Sequence, residues 1–506
     1  MAVVLVTLLA GTTLAFGGAV WWMSAAIAVL TLLFLTAWLA HVVLAGRMRI
    51  LKSPLTFLGF MAVGLGVVQL TPLPGPIASR LSTKSRQVYT QGLFADQAHS
   101  IDPTVELPQG ALLRSPVSLD RAATLRWVVG ALVCLGLFWG VAQFTDRLGR
   151  LYLVLGSLVA AFLLNSSFAI VQVACNASGL YGNLEPGYGP AWAPSIHDYL
   201  KAPNATILRV GMTTESPQVS WTESIPERPF LMGTMMGGPG AYLALASLGM
   251  PLAFGILLQI LAPRGSRERL SVRLGESGQS GLALLLGLML FSSAALVGFL
   301  VDPISSLPFA IALLLVGLPG AWSTGLRWTA VALTFIMLLG LGGGLGLRNT
   351  LERIPDLMPE IATENLRTAS YIWRDAVRIV RDFPIFGVGL GGFSSVYPFY
   401  KSQDESQSTA LSTLLQWWVE SGVIGMAVLL LAVLWCLWRL PAAVRRVGTA
   451  DRSLVFGLIG AAVGLSLYAI IHWTVELTAV AVAASALGGT CNRWLAGGTD
   501  LFVERG

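Results

Sequence analysis

Residues 367–425 read RTASYIWRDAVRIVRDFPIFGVGLGGFSSVYPFYKSQDESQSTALSTLLQWWVESGVIG, and the apolar run into which they lead continues to Trp438. Three local patterns lie in this stretch. Arg367, Tyr371, Arg374, Arg378 and Arg381 follow one another at intervals of four, three, four and three, so they share one helical face, with Ile372, Ala376, Ile379 and Phe383 on the other side. Pro384 ends that helix, because its ring removes an N–H and clashes with the preceding turn. The glycines at 387, 389, 391 and 392 then allow a turn that re-aims the chain. From Ala410 the chain becomes a polar lead-in to a long apolar helix, and the length of that helix decides the fold class.

Working outward, apolar runs of similar length recur at about 3–17, 22–45, 55–73, 124–144, 151–174, 237–262, 280–301, 304–322, 327–347, 413–438, 453–472 and 475–491. Runs near 20 residues are what a bilayer core requires of a helix. Composition agrees: 55% of residues are hydrophobic and 11% charged, against about 25% charged in soluble domains. The expected fold is an all-α, polytopic transmembrane bundle of about twelve spans. The expected organisation is a scaffold over 1–347, a large loop over 348–412 and C-terminal spans over 413–506. Met1 to Phe16 lacks the basic flank of a signal peptide and reads as a first membrane helix.

Topology follows from the linkers. Arg47, Arg49 and Lys52, then Arg147 and Arg150, then Arg264, Arg267, Arg269 and Arg273, then Arg327, then Arg445, Arg446 and Arg452 fall in alternate connections. The short connections between them carry no Lys or Arg. This bias predicts cytoplasmic basic linkers, cytoplasmic termini and three long outer loops, about 74–123, 175–236 and 348–412, holding short helices.

The net charge of +6 is therefore spread over linkers and points to no nucleic-acid partner. Cys134, Cys175, Cys436 and Cys491 lie in or beside apolar runs without CxxC spacing and read as small buried hydrophobes. His41, His99, His197 and His472 are far apart, so neither a metal centre nor a cofactor is expected. The glycine string follows no strand, which argues against a nucleotide-binding loop. The arginine face reads two ways: an interfacial helix touching lipid headgroups, or an anion clamp, since guanidinium forks match phosphate oxygens.

Arg367, Trp373 and the run DFPIFGVGLGGF, followed by Tyr397 and Tyr400, resemble the signature region of the O-antigen ligase/polymerase family. Gly233-Thr234 with Ala241-Tyr242-Leu243 is similar to that family's entry to a mid-chain helix. Leu415, Gln416, Glu420, Gly422 and Gly425 fall in register with a later family segment, and His472 with Glu476 resembles a late His element. The resemblance covers roughly Ser115 to Gly489. It departs from the family at Leu411, where a His stands, at Ser412 in place of Asn, at Ser305-Ser306-Leu307-Pro308 in place of Ser-Arg-Gly, and at Met235-Met236-Gly237-Gly238.

The resemblance implies a metal-independent inner-membrane glycosyltransferase. Its partners would be a polyprenyl-pyrophosphate-linked glycan, an acceptor glycan or glycolipid, and membrane lipids. It implies Arg367, Arg374, Arg378, Arg209 and Arg228 as substrate-binding candidates. With Leu411 at the position of the family's base, Glu420, His472, Asp404 and Glu405 become the candidate bases. Two other readings stand beside it: a noncatalytic homologue that binds the lipid-linked glycan or partner enzymes, favoured by Leu411, and a transporter of lipid-linked sugars.

Overall fold

The computed structural model describes residues 1–14, 21–45, 51–74, 82–85, 87–88, 114–174, 231–232, 235–236, 238–262, 277–301, 303–323, 327–351, 366–402, 409–448, 451–472 and 478–496. The principal helices are α1 (Ala2–Leu14), α2 (Trp21–Ala45), α3 (Pro54–Leu70), α4 (Arg121–Phe144), α5 (Leu148–Ala174), α6 (Gly238–Leu261) and α7 (Ser277–Leu300). They continue with α8 (Pro303–Ser323), α9 (Arg327–Leu351), α10 (Leu366–Asp382), α11 (Thr413–Arg445), α12 (Arg452–Ile471) and α13 (Thr478–Leu495). Two antiparallel pairings of two residues per strand, Leu73–Pro74 with Arg114–Ser115 and Leu231–Met232 with Met235–Met236, are minor additions.

Each of the twelve apolar runs coincides with a helix, and α10 is the amphipathic addition. Among the described residues, eight helices are long and apolar enough to cross a membrane: α2, α4, α5, α6, α7, α9, α11 and α12. α1, α3 and the apolar part of α8 are shorter, while α13 carries Asn492 and Arg493 close to its end. The chain is a polytopic helical membrane protein. Helix α11 runs to Arg445, seven residues past the expected end, because Pro441 sits inside it without ending it.

Helix α6 is the centre of the bundle: every residue from Ala241 to Gly255 is buried, as befits a helix that is apolar all round. It packs on α12, α7, α8 and α5. Its approach to α12 is backbone to backbone, since a Cβ on Gly255 would lie 2.7 Å from Gly457 Cα. Lipid tails are as apolar as leucine, so helices in a bilayer gain chiefly from such close packing between small residues.

The two ends of the bundle differ. At one end Ser53 donates to Asn492 and Leu51 N–H donates to Gln143. Arg439 bonds the carbonyl of Leu495 there, and Gln259 bridges Asp451 and Ser453. This end carries the basic linkers around Arg147–Arg150 and Arg445–Arg452. At the other end the close of α3, the starts of α4, α8 and α11, and the close of α12 meet beside α10. A second hydrophobic core lies there, separate from that of the bundle and built from Ile372, Ala376, Ile379, Phe383, Val388, Phe393, Leu411 and Val419 among others.

Candidate functional site

Helix α10 spends its apolar stripe on this second core. Ile372, Ala376, Ile379 and Phe383 are each at most 2% exposed, whereas Arg374, Arg378 and Arg381 are exposed on the opposite side. The guanidinium of Arg374 lies over the Tyr371 ring, 5.8 Å from its centroid. Arg378 pairs with Asp375 at 3.3 Å. Asp375 is itself 1% exposed and receives the N–H and hydroxyl of Ser402, each at 2.9 Å. Seven residues further along α10, Asp382 accepts the phenol of Tyr400 at 2.5 Å. Two carboxylates two turns apart thus pin the returning chain along the helix. Asp375→Ala is expected to cost about 1.5–3 kcal/mol, the range for hydrogen bonds to a charged group. Thermal unfolding and faster exchange of the Ser402 amide would measure it.

Burial, reinforced by the hydrogen bond and the negative charge of Asp382, pushes the Tyr400 phenol well above its ordinary value. The fold therefore favours the neutral phenol. That contribution is complete below the ordinary tyrosine value of about 10 and is lost only as pH rises through the raised one. Asp382→Asn should bring the titration of Tyr400 back toward the ordinary range. Tyrosinate absorbance, differenced against Tyr400→Phe in each background, would report it.

The glycine turn docks into a break in α11. Gly422 has φ 63° and ψ −161°, so the helix is interrupted there. In an unbroken helix the N–H groups of Val423 and Ile424 would bond the carbonyls of Val419 and Glu420. Here Val423 and Ile424 donate to Pro384 and Ile385 (2.9 and 3.3 Å), while the two freed carbonyls accept from Val388 and Gly389 (3.0 and 3.2 Å). These four backbone groups opened by the break are paired by the turn, which is what an apolar surrounding demands. Gly387, Gly389 and Gly391 all have positive φ, and a Cβ on Gly387 would lie 2.4 Å from the Val419 carbonyl oxygen.

Two buried side chains lock this joint. Gln69, at the end of α3, donates to the carbonyls of Phe386 and Glu420 (2.6 and 2.9 Å) and accepts from Leu390 N–H (3.0 Å). Glu420, 1% exposed, accepts from Gly391 N–H at 2.8 Å, Phe393 N–H at 3.3 Å and Gln416 at 3.1 Å.

Ser412 caps α11, accepting from Leu415 N–H and donating to the Ile470 carbonyl at 2.6 Å. Just before it, Leu411 has φ 53°, a left-handed conformation that costs a branched residue about 1–3 kcal/mol; its side chain is 4% exposed in the second core. Thr413 donates twice to the carbonyl of His472 (3.3 Å from N, 3.1 Å from Oγ1). The His472 ring stacks on Tyr468 at 4.6 Å, and its Nε2 lies 2.9 Å from Ser305 Oγ.

The nine expected site residues therefore divide. Arg374 and Arg378 are exposed on α10, Glu420 is buried in the joint, and His472 is half-buried at the entrance to α11. Arg367 lies in the first turn of α10 and its side chain is outside the described residues, as are Asp404, Glu405, Arg209 and Arg228 altogether. Gln69, Asp375 and Ser305 are contacts that sequence reading did not reveal. For Asp375 a signal exists, because it recurs seven residues before Asp382 on α10.

By fold and site this is a polytopic membrane protein with a rigid polar platform at one end of its bundle. Residues 280–430 match the family model described as O-antigen ligase. The matched stretch runs from α7 through α10 and the glycine turn into α11, so the part of the chain that holds the turn and the break is similar to O-antigen ligase. The match ties the protein to O-antigen ligase-type glycan transfer in the assembly of cell-surface polysaccharide. No curated protein matches the chain.

Proposed function

We propose that the protein moves a glycan from a polyprenyl-pyrophosphate carrier to an acceptor glycan or glycolipid at the periplasmic face of a bacterial inner membrane. The α10 end would face outward and both termini would be cytoplasmic, as the Lys/Arg asymmetry supports. One observation carries the reading. The apolar stripe of Ile372, Ala376, Ile379 and Phe383 on α10 is covered by protein and is not free to bury in lipid, and the exposed arginines sit on a pinned support. An interfacial helix would need that stripe for the bilayer.

In the reaction the acceptor hydroxyl oxygen attacks the anomeric carbon, the bond from that carbon to the pyrophosphate oxygen breaks, and the carrier leaves with the electron pair. Arg367, Arg374 and Arg378 would hold the developing negative charge, with Arg209 and Arg228 as further ligands. His472, together with Asp404 and Glu405 outside the described residues, is proposed to take the acceptor proton. No metal or other cofactor is included in this scheme.

The test is purified protein with lipid-linked glycan and acceptor. Transfer is expected, and Arg367→Ala should abolish it; full activity in that variant would remove the clamp. A second reading has its own support in Leu411, whose buried side chain offers no proton acceptor. A noncatalytic homologue would bind the lipid-linked glycan under these conditions and leave it untransferred.

A further inference from the structure

The interactions of Gln69 and Glu420 extend beyond the joint. Gln416, one turn before Glu420, donates to its Oε1 and accepts from Ala410 N–H at 3.2 Å. Ala410 leads directly into the strained corner at Leu411, and Ser412 and Thr413 fasten that corner to Ile470 and His472. A buried polar chain thus runs from the end of α3, through the turn and the broken helix, to the corner and the close of α12. Gln69, Gln416 and Glu420 are 0%, 3% and 1% exposed. A left-handed leucine persists only where its surroundings over-determine it, and both ends of this corner are held by hydrogen bonds.

We infer that Gln69, Gln416 and Glu420 are positioning residues whose shared function is to hold the Ala410–Thr413 corner, and with it His472, in fixed register with the arginine helix. Glu420 in this role accepts from the N–H groups of Gly391 and Phe393 and from Gln416, and the acceptor proton goes elsewhere. Gln69 acts on the corner through the turn and Glu420, since its own hydrogen bonds go to Phe386, Leu390 and the Glu420 carbonyl. The catalytic part of this inference rests on the transfer reaction proposed above; the structural part does not.

The experiment compares amide hydrogen exchange in nanodiscs for the wild type, Gln69→Leu, Gln416→Leu and Glu420→Gln, alongside the pH–rate profile of transfer. Gln69→Leu and Glu420→Gln are expected to speed exchange about tenfold or more at both 388–393 and 410–413. Gln416→Leu should release 410–413 and leave 388–393 protected, and it serves if Gln69→Leu does not fold. Transfer should fall about 10²-fold, the scale of a misplacement near 1 Å, with the shape of the pH profile unchanged. Wild-type protection of 410–413 in the folded variants would overturn the inference, as would loss of the acid limb of the profile in Glu420→Gln. A wild type that transfers no glycan would sink the proposed reaction, while the exchange data would still decide whether the chain holds the corner.

Discussion

Under the transfer reaction proposed above, Arg374→Ala combined with Arg378→Ala is expected to lower kcat/KM for a pyrophosphate-linked donor by about 10³-fold and to leave the unfolding midpoint nearly unchanged. The rate effect follows from electrostatics at a leaving group. In the proposed reaction these guanidiniums would donate to charge that grows as the glycosidic bond breaks, and donors of this kind contribute about 10²–10³ in rate. Arg374 is held over Tyr371 and Arg378 against Asp375, so little ordering remains to be done when the donor binds. The stability effect is small because both arginine side chains are exposed, so solvent screens the Arg378 side of its pair with the buried Asp375. Asp375 keeps both donors from Ser402 in the variant. Steady-state transfer kinetics beside a thermal scan would check both halves. An unchanged kcat/KM would remove these arginines from the site, and a large loss of stability would make them structural.

Gly422→Ala has the largest expected effect on stability, about 4 kcal/mol or more, a size tied to a few mechanisms such as strain at a special φ/ψ. The backbone at φ 63° and ψ −161° is open in practice only to glycine. The added Cβ would lie 2.3 Å from the Ile385 carbonyl oxygen and 2.5 Å from its carbon. Neither side can give way readily, because two backbone hydrogen bonds in each direction hold the turn in the break. The variant should be depleted from the membrane fraction and unfold at much lower temperature. Gly342→Ala in α9 is the control. Nothing lies within 4 Å of its added Cβ, and that variant is expected to gain about 0.5–1 kcal/mol from helix propensity. Equal behaviour of the two variants would mean that the break is not constrained as described.

The division between what could be read and what could not follows the range of the forces involved. The apolar helices were legible because a bilayer imposes the same local demand everywhere, a run of apolar side chains with the backbone satisfied internally. Among the described residues, eight of the twelve expected runs form helices long and apolar enough to cross it. The arginine face of α10 was legible for a similar reason, since a helical period of 3.6 fixes which residues share a side, and the exposure of Arg374, Arg378 and Arg381 agrees with that period. Pro384 and the glycines announced a turn. They did not announce its location, which depends on a break in a helix more than 30 residues away.

The candidate site was less legible than the scaffold. Glu420 stood out as a charge inside an apolar helix, and such a residue is equally consistent with a base and with a bracket. Which partners it meets depends on Gly391, Phe393 and Gln416 arriving together. Gln69 carries no local signal, because it is an uncharged residue at the end of a short helix, 351 positions away from Glu420. Sequence by itself determined the helical membrane class, the positions of the apolar helices and the basic face, since each is set by composition or by spacing within one helix. Only the tertiary structure decided that α11 is broken, that the glycine turn fills the break, and that Glu420 is held by the turn. Those outcomes depend on hydrogen bonds between segments distant along the chain, and a backbone group's choice of distant partner is written in no local pattern.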